Sequence, residues 1–205
     1  MKKQIWPSVM AKSQQELNFE LKKLIGVAKT LHLDVTDGKF APSKVFQFSF
    51  KLKKNFNYNA HLMIKNPLPW ITKNIEKIDL FIPHFEAVKD KEKYITFMKK
   101  NKKKVAFALL PETKTAVIKH FAEKINYILI LSVNPGFYGG KFLPQQLKKI
   151  QQIKKINPKI KVIVDGGMNP KTIQKAKLAD YFVSGSYLKE NPKERMKKLN
   201  ETLQF

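Results

Sequence analysis

Six side chains raise a chemical question. The segment TLHLDVTDGKF, residues 30–40, puts His32, Asp34 and Asp37 into a stretch that otherwise reads as a buried strand. His61 lies inside AHLMI, His84 near the end of LFIPHFEA, and Asp165 near the end of KVIVDGG. Ionised carboxylates are costly to bury without a partner, so a strand carrying them needs a compensating charge. His32 and Asp34 are two apart and project to the same side of a strand. Together, His32, Asp34, His61 and Asp165 form a mixed nitrogen and oxygen set that suits one divalent metal ion: zinc, iron, manganese or cobalt. Such a cation would compensate the charges of Asp34 and Asp165. A carboxylate beside a metal-polarised carbonyl can also take a proton from the neighbouring carbon. Alone, a His-x-Asp is ordinarily a local hydrogen-bonded pair, His61 a satisfied core histidine, and an Asp before Gly-Gly a turn residue. Their common placement at the ends of strands favours a site. Asp37-Gly38 reads as the turn leaving its strand, with Asp37 supporting the ligands from behind. His120 falls in a helix pattern and is expected to be ordinary.

Those ends belong to eight short apolar runs: residues 4–10, 30–35, 58–64, 80–87, 105–110, 127–133, 161–167 and 181–186. Each has strand length and is rich in Val, Ile, Phe or Leu. Lys-rich amphipathic stretches lie between most of them. SQQELNFELKKLIGVA opens with Ser13 and Glu16 at capping-box spacing. Leu147, Ile150, Ile153 and Ile156 recur every three positions, along one side of a helix. KTAVIKHFAEKI and NPKTIQKAKLA read as helices too, PWITKNIEKI as a short one, and PSKVFQFSFKLKKNFN is not a clean helix. Strands alternating with helices imply a parallel sheet. Eight such strands close a compact (β/α)8 TIM barrel, an α/β fold whose active sites lie at the C-terminal ends of the strands. An open doubly wound sheet is the alternative, disfavoured because no G-x-G-x-x-G follows the first run. With no linker and no composition break, residues 1–205 read as one domain.

The glycines make a second constellation. Six of the eight follow the last three runs, in NPGFYGGKF (134–142), DGG (165–167) and SGS (184–186). Glycine lets backbone N–H groups approach an anion closely, and the loops after the last two strands of such barrels are the usual phosphate site. Tight turns would explain the glycines less completely.

Composition narrows the classes further. The chain has 205 residues, enough for one sizeable core. It contains no cysteine, which excludes disulfides and thiolate chemistry and fits a reducing cytoplasm. Its N-terminus makes a poor signal peptide, and no apolar run is long enough to span a bilayer. The net charge is +24, yet the 40 basic residues include a single arginine, Arg195, and the lysines are spread through every helix pattern. Nucleic-acid recognition favours the planar fork of arginine. The lysines therefore read as solvated faces, and a phosphorylated small molecule as the partner, with neither nucleic acid nor membrane.

At this point the segments resemble a known family. LHLDVTDGKFAPS, AHLMIKNP, PHFEA, LSVNPGFYGGKFLP, VDGGMN and FVSGS are similar, in that order, to the signature segments of the ribulose-phosphate 3-epimerases, and WPSVMA to their first strand. The resemblance runs from about residue 5 to 188. It implies a metal-dependent (β/α)8 barrel that interconverts ribulose 5-phosphate and xylulose 5-phosphate at C3 through an enediolate. It implies His32, Asp34, His61 and Asp165 as metal ligands, and Asp34 and Asp165 as an acid–base pair on opposite faces of the substrate. It further implies that Ser8 and His61 touch the substrate. Gly136, Phe137, Tyr138, Gly139, Gly166, Gly167, Gly185 and Ser186 would hold it and its phosphate. Homo-oligomers are common in the family. Several positions depart from its pattern: Thr36 and Leu131 replace methionines, Lys39 a histidine or arginine, Tyr138 a glycine and Gly140 a glutamine. These leave the ligand set whole and open the identity of the sugar. Another ketose phosphate, such as allulose 6-phosphate, is the enzymatic alternative, and a non-catalytic polyanion-binding barrel is the alternative of a different class.

Overall fold

The computed structural model describes residues 3–135 and 139–203. Among the described residues there are nine strands: β1 (Gln4–Val9), β2 (Thr30–Asp37), β3 (Lys44–Val45), β4 (Asn57–Met63), β5 (Leu80–Pro83), β6 (Ala106–Leu109), β7 (Tyr127–Leu131), β8 (Lys161–Asp165) and β9 (Tyr181–Ser184). Eight of them coincide with the eight apolar runs. They pair in the order β5-β4-β2-β1-β9-β8-β7-β6, every neighbouring pair parallel. A parallel bridge between His84 and Ala108 joins the two ends, with the Phe85 N–H donating to the Ala108 carbonyl at 2.8 Å. The sheet is thus a (β/α)8 barrel, as the alternation of runs predicts.

The period-2 pleat sorts each strand into two rows. Trp6, Leu80, Ile82, Ala106, Ala108, Leu129, Leu131, Ile163, Tyr181 and Val183 form one apolar cluster inside the barrel. Trp6 and Tyr181 stack within it at 4.5 Å between centroids. The alternate residues, such as Leu31, Leu33, Phe107, Ile128, Val164 and Phe182, join the larger cluster between barrel and helices. The polar inward positions are gathered on a few strands: His32, Asp34 and Thr36 of β2, Asn59 and His61 of β4.

The helices are α1 (Gln14–Lys23), α2 (Pro67–Lys73), α3 (Lys91–Lys100), α4 (Lys148–Ile156), α5 (Pro170–Lys175) and α6 (Pro192–Leu203). Ser13 caps α1 by accepting from the Glu16 N–H at 3.1 Å, while the Glu16 carboxylate reaches back to the Lys12 N–H at 2.7 Å. Leu17 and Leu21, four apart, are fully buried against the barrel. Each such side chain stabilises by roughly 1.5–3 kcal/mol. Ile150 and Ile153 do the same for α4, flanked by the partly buried Leu147 and Ile156.

Two connections are not α-helical. KTAVIKHFAEKI forms a 3-10 helix over Thr115–Phe121. The segment between β2 and β4 covers its side of the barrel with a loop in which Phe46, Phe50 and Phe56 are buried. Gln14 of α1 clamps that loop, accepting from the Lys51 N–H at 2.8 Å and donating to the Lys51 carbonyl at 3.1 Å.

The reading of lysines as solvated faces fails at Lys149. It is 8% exposed, and its ammonium donates to the Leu110 and Pro111 carbonyls at 2.8 Å each. Burial lowers its pKa. There the lysine supplies donors that end-of-strand carbonyls need. No helix among the described residues is long and apolar enough to cross a membrane.

Candidate active site

Strand register assembles the polar cluster. Ser8 of β1 pairs with His32 of β2, His32 with Asn59 of β4, and Asp34 with His61 of β4. Ile163 and Asp165 share the inward row of β8, so Asp165 arrives at the same end, three strands round the barrel from β2. One ligand atom from each of His32, Asp34, His61 and Asp165 lies within 4.8 Å of all the others. His61 Nδ1 stands 3.4 Å from Asp34 Oδ1 and 3.3 Å from Asp165 Oδ2. His32 Nε2 stands 3.6 Å and 4.0 Å from the same two oxygens.

These atoms face one another without bonding. His32 Nδ1 and Nε2, Asp34 Oδ1 and His61 Nδ1 are buried and have no hydrogen-bond partner. An orphaned buried polar atom costs roughly 1–3 kcal/mol, and three of these, His32 Nε2, Asp34 Oδ1 and His61 Nδ1, face one point, which is hard to sustain unless something satisfies them. A cation between them would do so, and the donor set of two imidazoles and two carboxylates fits one.

The electrostatics agree. Burial alone would push the His61 imidazole down, but the flanking Asp165 and Asp34 carboxylates outweigh it and raise it to about 9. Burial would raise Asp34, and the neighbouring His61 and His32 hold it below the usual carboxylate range instead. His32 is lowered by burial. In the metal-free protein a proton on His61 therefore occupies the place of positive charge.

Neighbouring groups hold the cluster in position. The Ser8 hydroxyl donates to Asp34 Oδ2, leaving Oδ1 to the centre. The Ser132 hydroxyl donates to the Asp165 and Gly166 carbonyls at 2.8 and 2.6 Å, and its N–H to the Asp165 carbonyl at 2.7 Å. Asn169 caps α5 with a capping box, and the Thr172 hydroxyl donates to the Gly167 carbonyl at 2.6 Å. Gly166 sits at φ +107°, where an added Cβ would lie 2.5 Å from Val133 Cγ2. Gly166→Ala should therefore cost about 1–3 kcal/mol of backbone strain and displace the turn that follows Asp165. Denaturant midpoints check this, and a variant as stable as the parent would show the turn to be relaxed.

One cavity at this end is lined by Ser8, Asp34, His61 and Asp165 together with Gly139, Gly166, Gly167, Gly185 and Ser186. All of these are residues singled out from the sequence. Gly136, Phe137 and Tyr138 lie outside the described residues. Leu131 and Gly140 also line the cavity, whereas Thr36 is buried with its hydroxyl 3.0 Å from that of Ser43, and Lys39 is exposed. The loop turns at Asp37-Gly38 as read, and the Asp37 carboxylate accepts from the Lys39, Phe40 and Lys65 N–H groups at 2.8–2.9 Å. Its visible work is to fix that loop. His120 is exposed on the surface, on the 3-10 helix. Met10 and Met63 line the cavity unforeseen. The inward row of β4, Asn59-His61-Met63, was the signal for the second of them.

Comparison with known proteins decides the family. A model of the "Ribulose-phosphate 3 epimerase family" matches residues 4–189. The chain belongs to the ribulose-phosphate 3-epimerase family. It is thereby an enzyme, an epimerase of the isomerase class. The ribulose-phosphate 3-epimerase of Schizosaccharomyces pombe is 31% identical, over 84% of this chain and 79% of that protein. That of Chlamydia pneumoniae is 30% identical, over 93% and 91%. Among solved structures, 3-keto-L-gulonate-6-phosphate decarboxylase from Vibrio cholerae superposes with a TM-score of 0.72 at 10% identity, over 100% of this chain and 98% of that one. The 3-hexulose-6-phosphate synthase of Salmonella typhimurium gives 0.69 at 13%, over 98% of each. At such identities the structural likeness speaks for the barrel fold alone. Membership of the epimerase family rests on the matched sequence, and the His/Asp cluster of this epimerase could hold a metal ion.

Proposed function

We propose that this epimerase interconverts D-ribulose 5-phosphate and D-xylulose 5-phosphate by removing and returning a proton at C3, with one divalent ion held by His32, Asp34, His61 and Asp165. The observation that carries the reading is the pair of inward carboxylates, Asp34 and Asp165, brought from strands on different sides of the barrel mouth to one point between two imidazoles. When bound, a divalent cation would polarise the C2 carbonyl and offset the negative charge of an enediolate.

The chain's own residues do the rest. One of Asp34 and Asp165 takes the C3 proton on one face, and the other delivers a proton to the opposite face, which inverts C3. Ser8 holds Asp34 by its second oxygen and so fixes the direction of the first. Backbone at Gly166, Gly167, Gly185 and Ser186, with Gly136–Gly139 of the preceding loop, receives the 5-phosphate. Leu131 and Val183, in register with Asp165, and Ile163 two residues before it give that side of the site an apolar wall. The phosphorylated ketose is the partner in this reading, which also includes self-association, a cytoplasmic setting, and one catalytic unit spanning residues 1–205.

A panel of ketose phosphates tests the substrate. Ribulose 5-phosphate is expected to give the highest kcat/KM, with hexulose 6-phosphates such as allulose 6-phosphate lower by tenfold or more. The reverse order would reassign the substrate to a hexulose phosphate, with Leu131 and Gly140 the lining residues to examine first.

A further inference from the structure

We propose that His84 and Glu86 are positioning residues that hold the His61 ring in the one tautomer able to ligate a metal through Nδ1. The inference rests on the metal site proposed above. Its observation is a chain of polar contacts running behind that site, away from the substrate cavity.

Leu80 and Ile82 of β5 point into the barrel, and His84 continues their row by two residues. It is fully buried, its ring centroid 5.0 Å from that of His61 and its face covered by Phe40 at 4.5 Å. His61 Nε2 and His84 Nε2 lie 2.9 Å apart. Two ring nitrogens at that distance share one hydrogen, one donating and the other accepting. The geometry of this pair is symmetric, so the next contact must choose between them. His84 Nδ1 is buried without a hydrogen-bond partner, and Glu86 Oε2 lies 3.4 Å from it, a long polar contact. Glu86 is itself anchored: its Oε1 accepts from the Leu110 N–H at 3.1 Å and from the Thr113 hydroxyl.

A carboxylate only accepts. Facing His84 Nδ1, it favours the hydrogen on that nitrogen and leaves His84 Nε2 bare. Bare Nε2 then accepts from His61 Nε2–H. With a cation held between Asp34, Asp165 and His61, the one His61 hydrogen thereby lies on Nε2, and the Nδ1 lone pair faces the cation. The opposite tautomer would aim an N–H at the cation. Carboxylate–histidine support of a ligating imidazole typically alters metal affinity 10–100-fold.

Glu86→Gln reverses the chain with almost no change of shape. The Leu110 N–H keeps an oxygen opposite it, so the amide NH2 takes the place of Oε2. It then donates to His84 Nδ1, which drives the hydrogens toward the metal. In the purified full-length protein, Zn2+ affinity measured by competition with a chromophoric chelator should fall 10–100-fold, with the far-UV circular dichroism unchanged. Glu86→Gln binding Zn2+ within twofold of the parent would overturn the proposal. Imidazole 15N NMR of the Zn2+-loaded parent gives a second reading that needs no variant. It should show His84 protonated at Nδ1 and His61 at Nε2. His84 protonated at Nε2 would overturn the proposal whether or not the variant folds. Failure of the parent to take up Zn2+ would overturn the metal site itself, and so is distinguishable from failure of the positioning chain alone.

Discussion

Asp34→Asn and Asp165→Asn should each lower epimerisation by about 10²–10⁴-fold, the usual scale of a lost general acid or base. The more telling result is asymmetry. With two carboxylates serving two faces, each variant keeps one of them. The surviving group can still remove the C3 proton from one epimer and return a solvent deuteron to the same face. One variant should therefore wash deuterium into ribulose 5-phosphate without forming xylulose 5-phosphate, and the other should do so only from xylulose 5-phosphate. Proton NMR of each epimer in heavy water reads this directly. Asp and Asn have nearly the same shape, so the barrel should stay folded, and metal content measured alongside separates loss of base from loss of ligand. Full activity in either variant would remove that residue from the mechanism. Equal wash-in from both epimers in one variant would show that a single group serves both faces.

Withdrawal of metal is the second large effect. A chelator should reduce turnover to background and lower Tm. An ion present at 100 times its Kd stabilises by about 2.7 kcal/mol, and a chain of this size moves by about 2–4 °C per kcal/mol, so a fall of several degrees is expected. The loss should depend on pH in a fixed direction. In the metal-free protein His61 is raised from 6.5 to about 9 by Asp165 and Asp34. A raised folded pKa contributes stability that is fully present below the unfolded value and disappears as pH climbs through about 9. The metal competes with that proton. The Tm gap between loaded and chelated protein should therefore widen as pH rises from 6.5 toward 9. A gap that narrows over this range would show that His61 does not surrender a proton to the metal.

Much of this was legible in the sequence because β periodicity leaves a plain mark. His32-x-Asp34 on one strand, a lone His61 on the next and Asp165 at the end of another could only meet if the runs formed parallel neighbours. The apolar content of those runs required that arrangement. What the sequence hid was local. KTAVIKHFAEKI carries a helical apolar pattern, yet it closes as a 3-10 helix, a difference in hydrogen bonding to which side-chain spacing is nearly blind. Lys149 has the sequence surroundings of a solvated lysine, but two carbonyls just past β6 take its donors. His84 and Glu86 were visible in PHFEA without a role, because their roles depend on which nitrogen faces which oxygen. Ser132 was invisible for the same reason. Its work is to hold two carbonyls of another strand's end, and nothing in its neighbours announces that.

The measurement closest to the central claim is deuterium exchange at C3 of ribulose 5-phosphate in heavy water, followed by NMR with the purified protein, with and without chelator. The account predicts exchange accompanied by the appearance of xylulose 5-phosphate, abolished by the chelator and restored by added divalent metal. No exchange with any divalent metal supplied, or exchange indifferent to the chelator, would contradict it.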